Sequence, residues 1–96
     1  MNRIAFEDYL NNYLQPNSAH LTASAIRKRI SKADEAENVL GHPLDISVAS
    51  DEQMRVDLIQ LRANNTSERR YGQMQNALRK YYHMTHARWF PRLRDI

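Results

Sequence analysis

The sequence predicts an all-α fold, a compact bundle of four or five short helices. Apolar residues recur every three or four positions in four segments, and residues that start or end helices bound each segment. Strand-type patterning is confined to residues 45–49, and a single strand would have nothing to pair with. The 96 residues suffice for one domain, which we expect to span 1–96, with 87–96 as a C-terminal tail or a linker to a downstream domain.

The first half of the chain predicts two helices. The first covers residues 4–14 and ends before Pro16, which cannot continue a helical hydrogen-bond ladder. Its expected buried face comprises Phe6, Tyr9, Leu10, Tyr13 and Leu14. The second helix follows Thr22 as its N-cap and closes at Gly41, which readily adopts the left-handed backbone conformation. Its inner face comprises Ile26, Ile30, Ala33 and Leu40.

The second half predicts two more helices. Ser50 opens the third in a capping box with Gln53, Asn64 ends it, and its inner stripe is Met54, Leu58 and Leu61. Thr66 or Ser67 caps the fourth, which runs to about residue 86. Its apolar stripe comprises Tyr71, Met74, Leu78, Tyr81, Tyr82 and Thr85. Its opposite stripe comprises Arg69, Gln73, Asn76, Lys80 and His83.

The composition indicates a globular protein in the cytoplasm. The chain is 42% hydrophobic and 26% charged, has no cysteine, and contains no apolar run long enough to cross a bilayer. Its first residues do not resemble a signal peptide. We therefore expect no membrane partner.

Charge is distributed unevenly along the chain. Residues 1–60 hold six Lys or Arg against nine Asp or Glu, a balance of −3, and residues 61–96 hold eight against two, a balance of +6. This asymmetry indicates either an anionic partner or contacts with the acidic part of the same chain. A helix start beside basic residues can hold phosphate, and Gln or Asn can pair with adenine. The candidate nucleic-acid contacts are Thr22, Ser24, Arg27, Lys28, Arg29, Lys32, Arg69, Arg70, Gln73, Asn76, Arg79 and Lys80.

Other chemistry is poorly supported by the sequence. His83 and His86 are spaced to reach one ion, but zinc needs three or four ligands, so we expect no metal site. Tyr81 and Tyr82 fit a core stripe better than a nucleophilic site. We accordingly expect no enzymatic activity on this chain, no cofactor and no small-molecule substrate.

Three segments together resemble a known domain: FEDYLNNYL, LTASAIRKRISKADEAENVLG and SERRYGQMQNALRKYYHM. They are similar to the SAM-like N-terminal core-binding domain of tyrosine recombinases and phage integrases, and to helical N-terminal domains of mobile-element or restriction-type proteins. The matching residues are Leu21, Thr22, Ile26, Ile30, Arg70, Ala77, Leu78, Arg79, Tyr81 and Tyr82. The likeness spans residues 6–84. The chain differs from the family in two respects: it has the acidic run 34–37, and it lacks the family's arginine–histidine–tyrosine catalytic set.

The resemblance implies a module that clamps duplex DNA with its second and fourth helices, as the non-catalytic part of a recombinase or nuclease system or as an accessory factor. Two alternatives remain open at this point. One is a protein-interaction or dimerisation module in which Trp89 and Phe90 pack against a second subunit or a downstream domain, although terminal aromatic residues more commonly fold back as a lid on their own core. The other is a small phage-type regulator whose basic third binds an acidic protein surface.

Overall fold

The computed structural model describes residues 1–65 and 67–91. Its five helices are α1 (Arg3–Asn12), α2 (Ala23–Leu40), α3 (Leu44–Ser47), α4 (Asp51–Ala63) and α5 (Glu68–His86). The predicted all-α class is confirmed: among these residues the only extended pairing is an isolated bridge between Leu14 and His20. The alternative cap Thr66 and residues 92–96 of the predicted tail lie outside the described residues.

The predicted helix boundaries rest on side-chain caps. The side-chain oxygens of Thr22, Ser50 and Ser67 each accept a hydrogen bond, at 3.1 Å, from a backbone N–H in the first turn of the helix that follows. Gly41 ends α2 with a φ of 77°, which a residue without a side chain adopts at little cost. These caps satisfy groups that helix ends would otherwise leave without partners.

Two residues assigned to buried stripes are exposed, so those predictions were wrong. Helix α1 ends at Asn12, where the Asn11 and Asn12 side chains donate to backbone carbonyls one turn earlier, at 2.9 and 2.8 Å. Leu14 consequently lies beyond the helix and is 56% exposed. Thr85 is also exposed, and its hydroxyl donates to the Tyr81 carbonyl at 3.0 Å. The run at 45–49 lies largely in α3 rather than in a strand.

Helix α5 supplies more buried core residues than any other described helix. It packs against α1, α2 and α4. Asp51 at the start of α4 contacts Tyr82 near the end of α5, and Arg62 near the end of α4 lies over Tyr71 near the start of α5, so these two helices run antiparallel. The largest fully buried apolar or aromatic side chains are Phe6, Leu10, Leu44, Met54, Leu58, Leu61, Met74, Leu78, Tyr81 and Tyr82. No described helix is long and apolar enough to cross a membrane.

Two buried tyrosines on α5 attach the surrounding segments to the core. The Tyr81 hydroxyl donates to Asp45 Oδ1 at 2.5 Å and accepts from the backbone N–H of Asn2 at 2.7 Å. The Tyr82 hydroxyl donates to Asp51 Oδ1 at 2.5 Å. Burial, together with these carboxylate partners, raises the pKa of each tyrosine to about 12. Both hydroxyls therefore remain protonated donors at neutral pH.

Candidate nucleic-acid interface

The outer stripe of α5 faces away from the core, as predicted. Arg69 and Asn76 are exposed, while Gln73, Lys80 and His83 are half-buried where neighbouring elements flank the helix. Because the apolar stripe of the same helix fills the core, this polar stripe has a fixed orientation. It forms the centre of the candidate interface.

Arg29 joins this stripe from α2. Its Nη1 donates weakly to the Gln73 carbonyl at 3.5 Å, and its Nε is buried without a hydrogen-bond partner among the described residues. Burial lowers the pKa of Arg29, and the described carboxylates form no ion pair with it. A guanidinium without a carboxylate partner can donate hydrogen bonds to an anion through its terminal Nη groups, whereas the buried Nε is not accessible to one.

Lys80 brings a second half-buried cation to the same region. Its Nζ donates to Asn76 Oδ1 at 2.8 Å and lies 4.8 Å from the ring centroid of Tyr13. Burial and then the positive charge of Arg29 lower the pKa of Lys80 to about 8. Cations from α2 and α5 thus lie close enough to influence one another, with no ion pair to Lys80 from a described carboxylate.

The remaining candidate residues fall into two groups. Those on the exposed surface with no ion pair to a described carboxylate are Arg27, Lys28, Arg69 and Arg70. The others have intramolecular contacts. Lys32 pairs with Glu35 at 3.1 Å, and Arg79 donates to the backbone carbonyls of Phe90 and Pro91. Thr22 is occupied as the cap of α2, and Ser24 is exposed beside it.

The acidic run in α2 is largely neutralised by the chain itself. Asp34 pairs with Arg3 at 2.7 Å, and Glu37 accepts from the amino group of Met1 at 2.7 Å and from the Leu44 N–H at 2.8 Å. With Glu35 paired to Lys32, these carboxylates have cationic partners of their own. Lys32 and Glu35 form an ordinary i,i+3 pair on the helix surface.

An aromatic recess adjoins the α5 stripe. We define it by Tyr9, Tyr13, His83 and Trp89, with Asp8, Asn12 and Leu14 completing a lining around about 460 Å³. The sequence predicted Tyr9 and Tyr13 as part of a buried face and allowed Trp89 to fold back onto the core. The spacing of the two tyrosines on α1 gave no signal that Trp89 would lie beside them.

The C-terminal aromatic residues have different environments. Phe90 is 3% exposed and packs edge-on against Tyr82, with ring centroids 5.4 Å apart, so it belongs to the core. Trp89 is 46% exposed and stacks on His83 at 4.1 Å. A φ of 58° at Ala87 ends α5 and turns the chain back toward this recess.

A Ser–His–Asp group lies elsewhere: Ser47 on α3 and Asp57 on α4 are buried, and the partly buried His42 precedes α3. His42 Nε2 lies 2.8 Å from Asp57 Oδ2 and 3.2 Å from Ser47 Oγ, so both partners contact the same nitrogen. A hydrolytic triad instead needs the two ring nitrogens to contact different partners, and here Ser47 is fully buried. The geometry is that of a structural brace. The described residues hold no cluster of three or more His, Cys, Asp or Glu that suits a metal ion.

The site therefore consists of a cationic and amide-bearing stripe from α2 and α5 beside a recess lined by aromatic rings. Comparison of the chain with protein-family models, curated proteins and solved structures gave no significant match.

Proposed function

We propose that this protein binds DNA through the α2–α5 face. The observation that carries the proposal is that Arg29 and Lys80, two half-buried cations without an ion pair to a described carboxylate, contact α5 one turn apart, at Gln73 and Asn76. Bringing like charges together costs free energy, and a phosphate placed between them would offset that cost. Exposed cations nearby would add sequence-independent phosphate contacts.

Two further features support this proposal. Gln73 and Asn76 lie on the same stripe as the cations and carry amide groups able to contact base edges. The segments that resemble the core-binding domain also include α2 and α5, and they imply the same two helices as the DNA-facing ones. The protein would then act as a non-catalytic binding module in a recombination or nuclease system.

Removing two exposed cations from this face should weaken DNA binding more than removing two from α4. We expect the double variant Lys28→Ala with Arg69→Ala to reduce affinity for duplex DNA about tenfold at low salt. The slope of log affinity against log salt should also fall by about 2, because each phosphate that is no longer contacted keeps its counterion. The measurement is a fluorescence-anisotropy titration over a salt series.

The matched control is Arg55→Ala with Arg62→Ala, which removes the same charge from the exposed side of α4. It should change affinity only slightly through the overall net charge. Equal losses in the two double variants would show that binding follows net charge alone, and would count against the assigned face.

Binding should also depend on pH through Lys80. Its pKa of about 8 means that the side chain is mostly charged at pH 7 and mostly neutral at pH 9. We expect affinity and salt slope to fall across this interval, the slope by about 0.9 for one phosphate contact. Lys80→Arg should remove the dependence because a guanidinium keeps its charge. A parallel pH profile in both proteins would contradict a phosphate contact by Lys80.

A further inference from the structure

The aromatic recess contains one exposed ring that is held in place before any ligand arrives. One face of the Trp89 indole lies on the His83 imidazole, with ring centroids 4.1 Å apart and planes inclined by 18°. Tyr13 stands perpendicular to Trp89 at 6.3 Å. Nearly half of the tryptophan side chain remains exposed, so the indole offers surface for another planar group.

Neighbouring contacts fix the position of this ring. His83 Nδ1 is hydrogen-bonded to the Tyr9 hydroxyl at 2.7 Å, which orients the imidazole beneath the indole. The residue after Trp89 is buried in the core, and Arg79 binds the carbonyls of Phe90 and Pro91. An exposed aromatic ring held in this way loses little conformational entropy when a ligand packs on it.

The charge beside the recess favours an anionic ligand over a cationic one. Lys80 Nζ lies 4.8 Å from the Tyr13 centroid and 6.0 Å from the Trp89 centroid, so a lysine of this chain already occupies the cation–π position. A second cation entering there would be repelled. Asp8 and Asn12 line the recess as well, and their oxygens can accept hydrogen bonds from N–H groups of a base, such as N3–H of thymine, but not from a phosphate.

We propose that the aromatic recess holds an unpaired nucleobase, stacked on the exposed surface of Trp89 with Tyr13 at its edge and with its adjoining phosphate directed toward Lys80. This inference rests on the proposed function, and it deepens it by naming the ligand as single-stranded DNA or DNA with a base displaced from the helix. Bases inside a duplex are stacked on one another and cannot reach an aromatic side chain. Aromatic stacking beside a cationic stripe is the general basis of single-strand binding.

The test uses Trp89 as its own probe, because it is the only tryptophan in the chain. We expect a dodecamer of thymidylate to quench the indole fluorescence and to protect it from iodide, and a blunt twelve-base-pair duplex to do neither. Trp89→Leu should weaken binding of the single strand about fivefold to a hundredfold and leave duplex binding unchanged. Trp89→Phe should restore part of the loss, since it retains an aromatic ring.

The control is Ile59→Ala, which alters an apolar side chain that is 53% exposed on α4, a helix that contributes no residue to the lining of the recess. Circular dichroism of each variant reports whether it is folded. The fluorescence titration of the unaltered protein tests the proposal even if a variant fails to fold. Failure of both DNA forms to bind would overturn the proposed function. Duplex binding without a response of Trp89 to the single strand, or equal losses for both forms in Trp89→Leu, would overturn only the present inference.

Discussion

Tyr81→Ala should lower the free energy of unfolding by about 3–5 kcal/mol, the range typical of removing a large aromatic side chain from a core. The Tyr81 ring is 1% exposed and meets Phe6 edge-on, with centroids 5.2 Å apart. Its hydroxyl also joins Asp45 of α3 to the backbone preceding α1. Denaturation by urea, followed by circular dichroism, measures the change.

Tyr81→Phe separates the two contributions. This variant keeps the ring in the core and removes the hydroxyl, which leaves the Asn2 N–H and the Asp45 carboxylate without that partner. We expect a loss of about 1–3 kcal/mol. A loss as large as that of the alanine variant would mean that the hydrogen bonds, and not the packing of the ring, dominate at this position.

Asp57→Ala should have the second largest effect, a loss of about 2–4 kcal/mol. Asp57 is 1% exposed and accepts from Gln53 Nε2 at 2.9 Å as well as contacting His42. Hydrogen bonds to a buried charged group are worth more than neutral ones, and truncation leaves the partners unsatisfied. The same urea titration measures this loss. The matched control is Glu52→Ala, at an exposed position five residues earlier in α4.

Glu52→Ala is expected to change stability by less than about 0.5 kcal/mol, as is usual for exposed positions. If both acidic residues proved equally dispensable, the His42–Asp57–Ser47 brace would have no role in holding α3 against α4. Asp57→Asn should fall between them because an amide keeps the shape of the side chain but accepts only weakly.

The helices were predictable because their signals are local. Thr22, Ser50 and Gly41 mark ends by chemistry that depends on a few neighbouring residues, and the apolar stripe of α5 follows from the 3.6-residue period. The position of Leu14 was mispredicted because α1 ends before it. The Asn11 and Asn12 side chains donate to carbonyl groups of the last turns of α1 and so compete with backbone N–H groups for them. Periodicity alone does not register that competition.

The candidate site was predictable only in its separate pieces. The outer stripe of α5 could be read from spacing, and its cations were named from sequence. That Arg29 would reach Gln73, whereas Arg79 would turn toward the C-terminal segment, depends on how α2 and the residues after α5 pack. The aromatic recess joins residues more than 70 positions apart, including Tyr9 and His83, and no local pattern encodes such a contact.

Arg79 donates hydrogen bonds to the main-chain carbonyls of Phe90 and Pro91. The hydrogen bond to residue 91 does not depend on which amino acid occupies that position, because every residue has the same main-chain carbonyl. Substitutions there are free to alter the surface beside the indole while the backbone stays attached to α5. Position 91 is therefore a site at which substitutions could change the contacts beside Trp89 while the hydrogen bonds from Arg79 to the backbone remain.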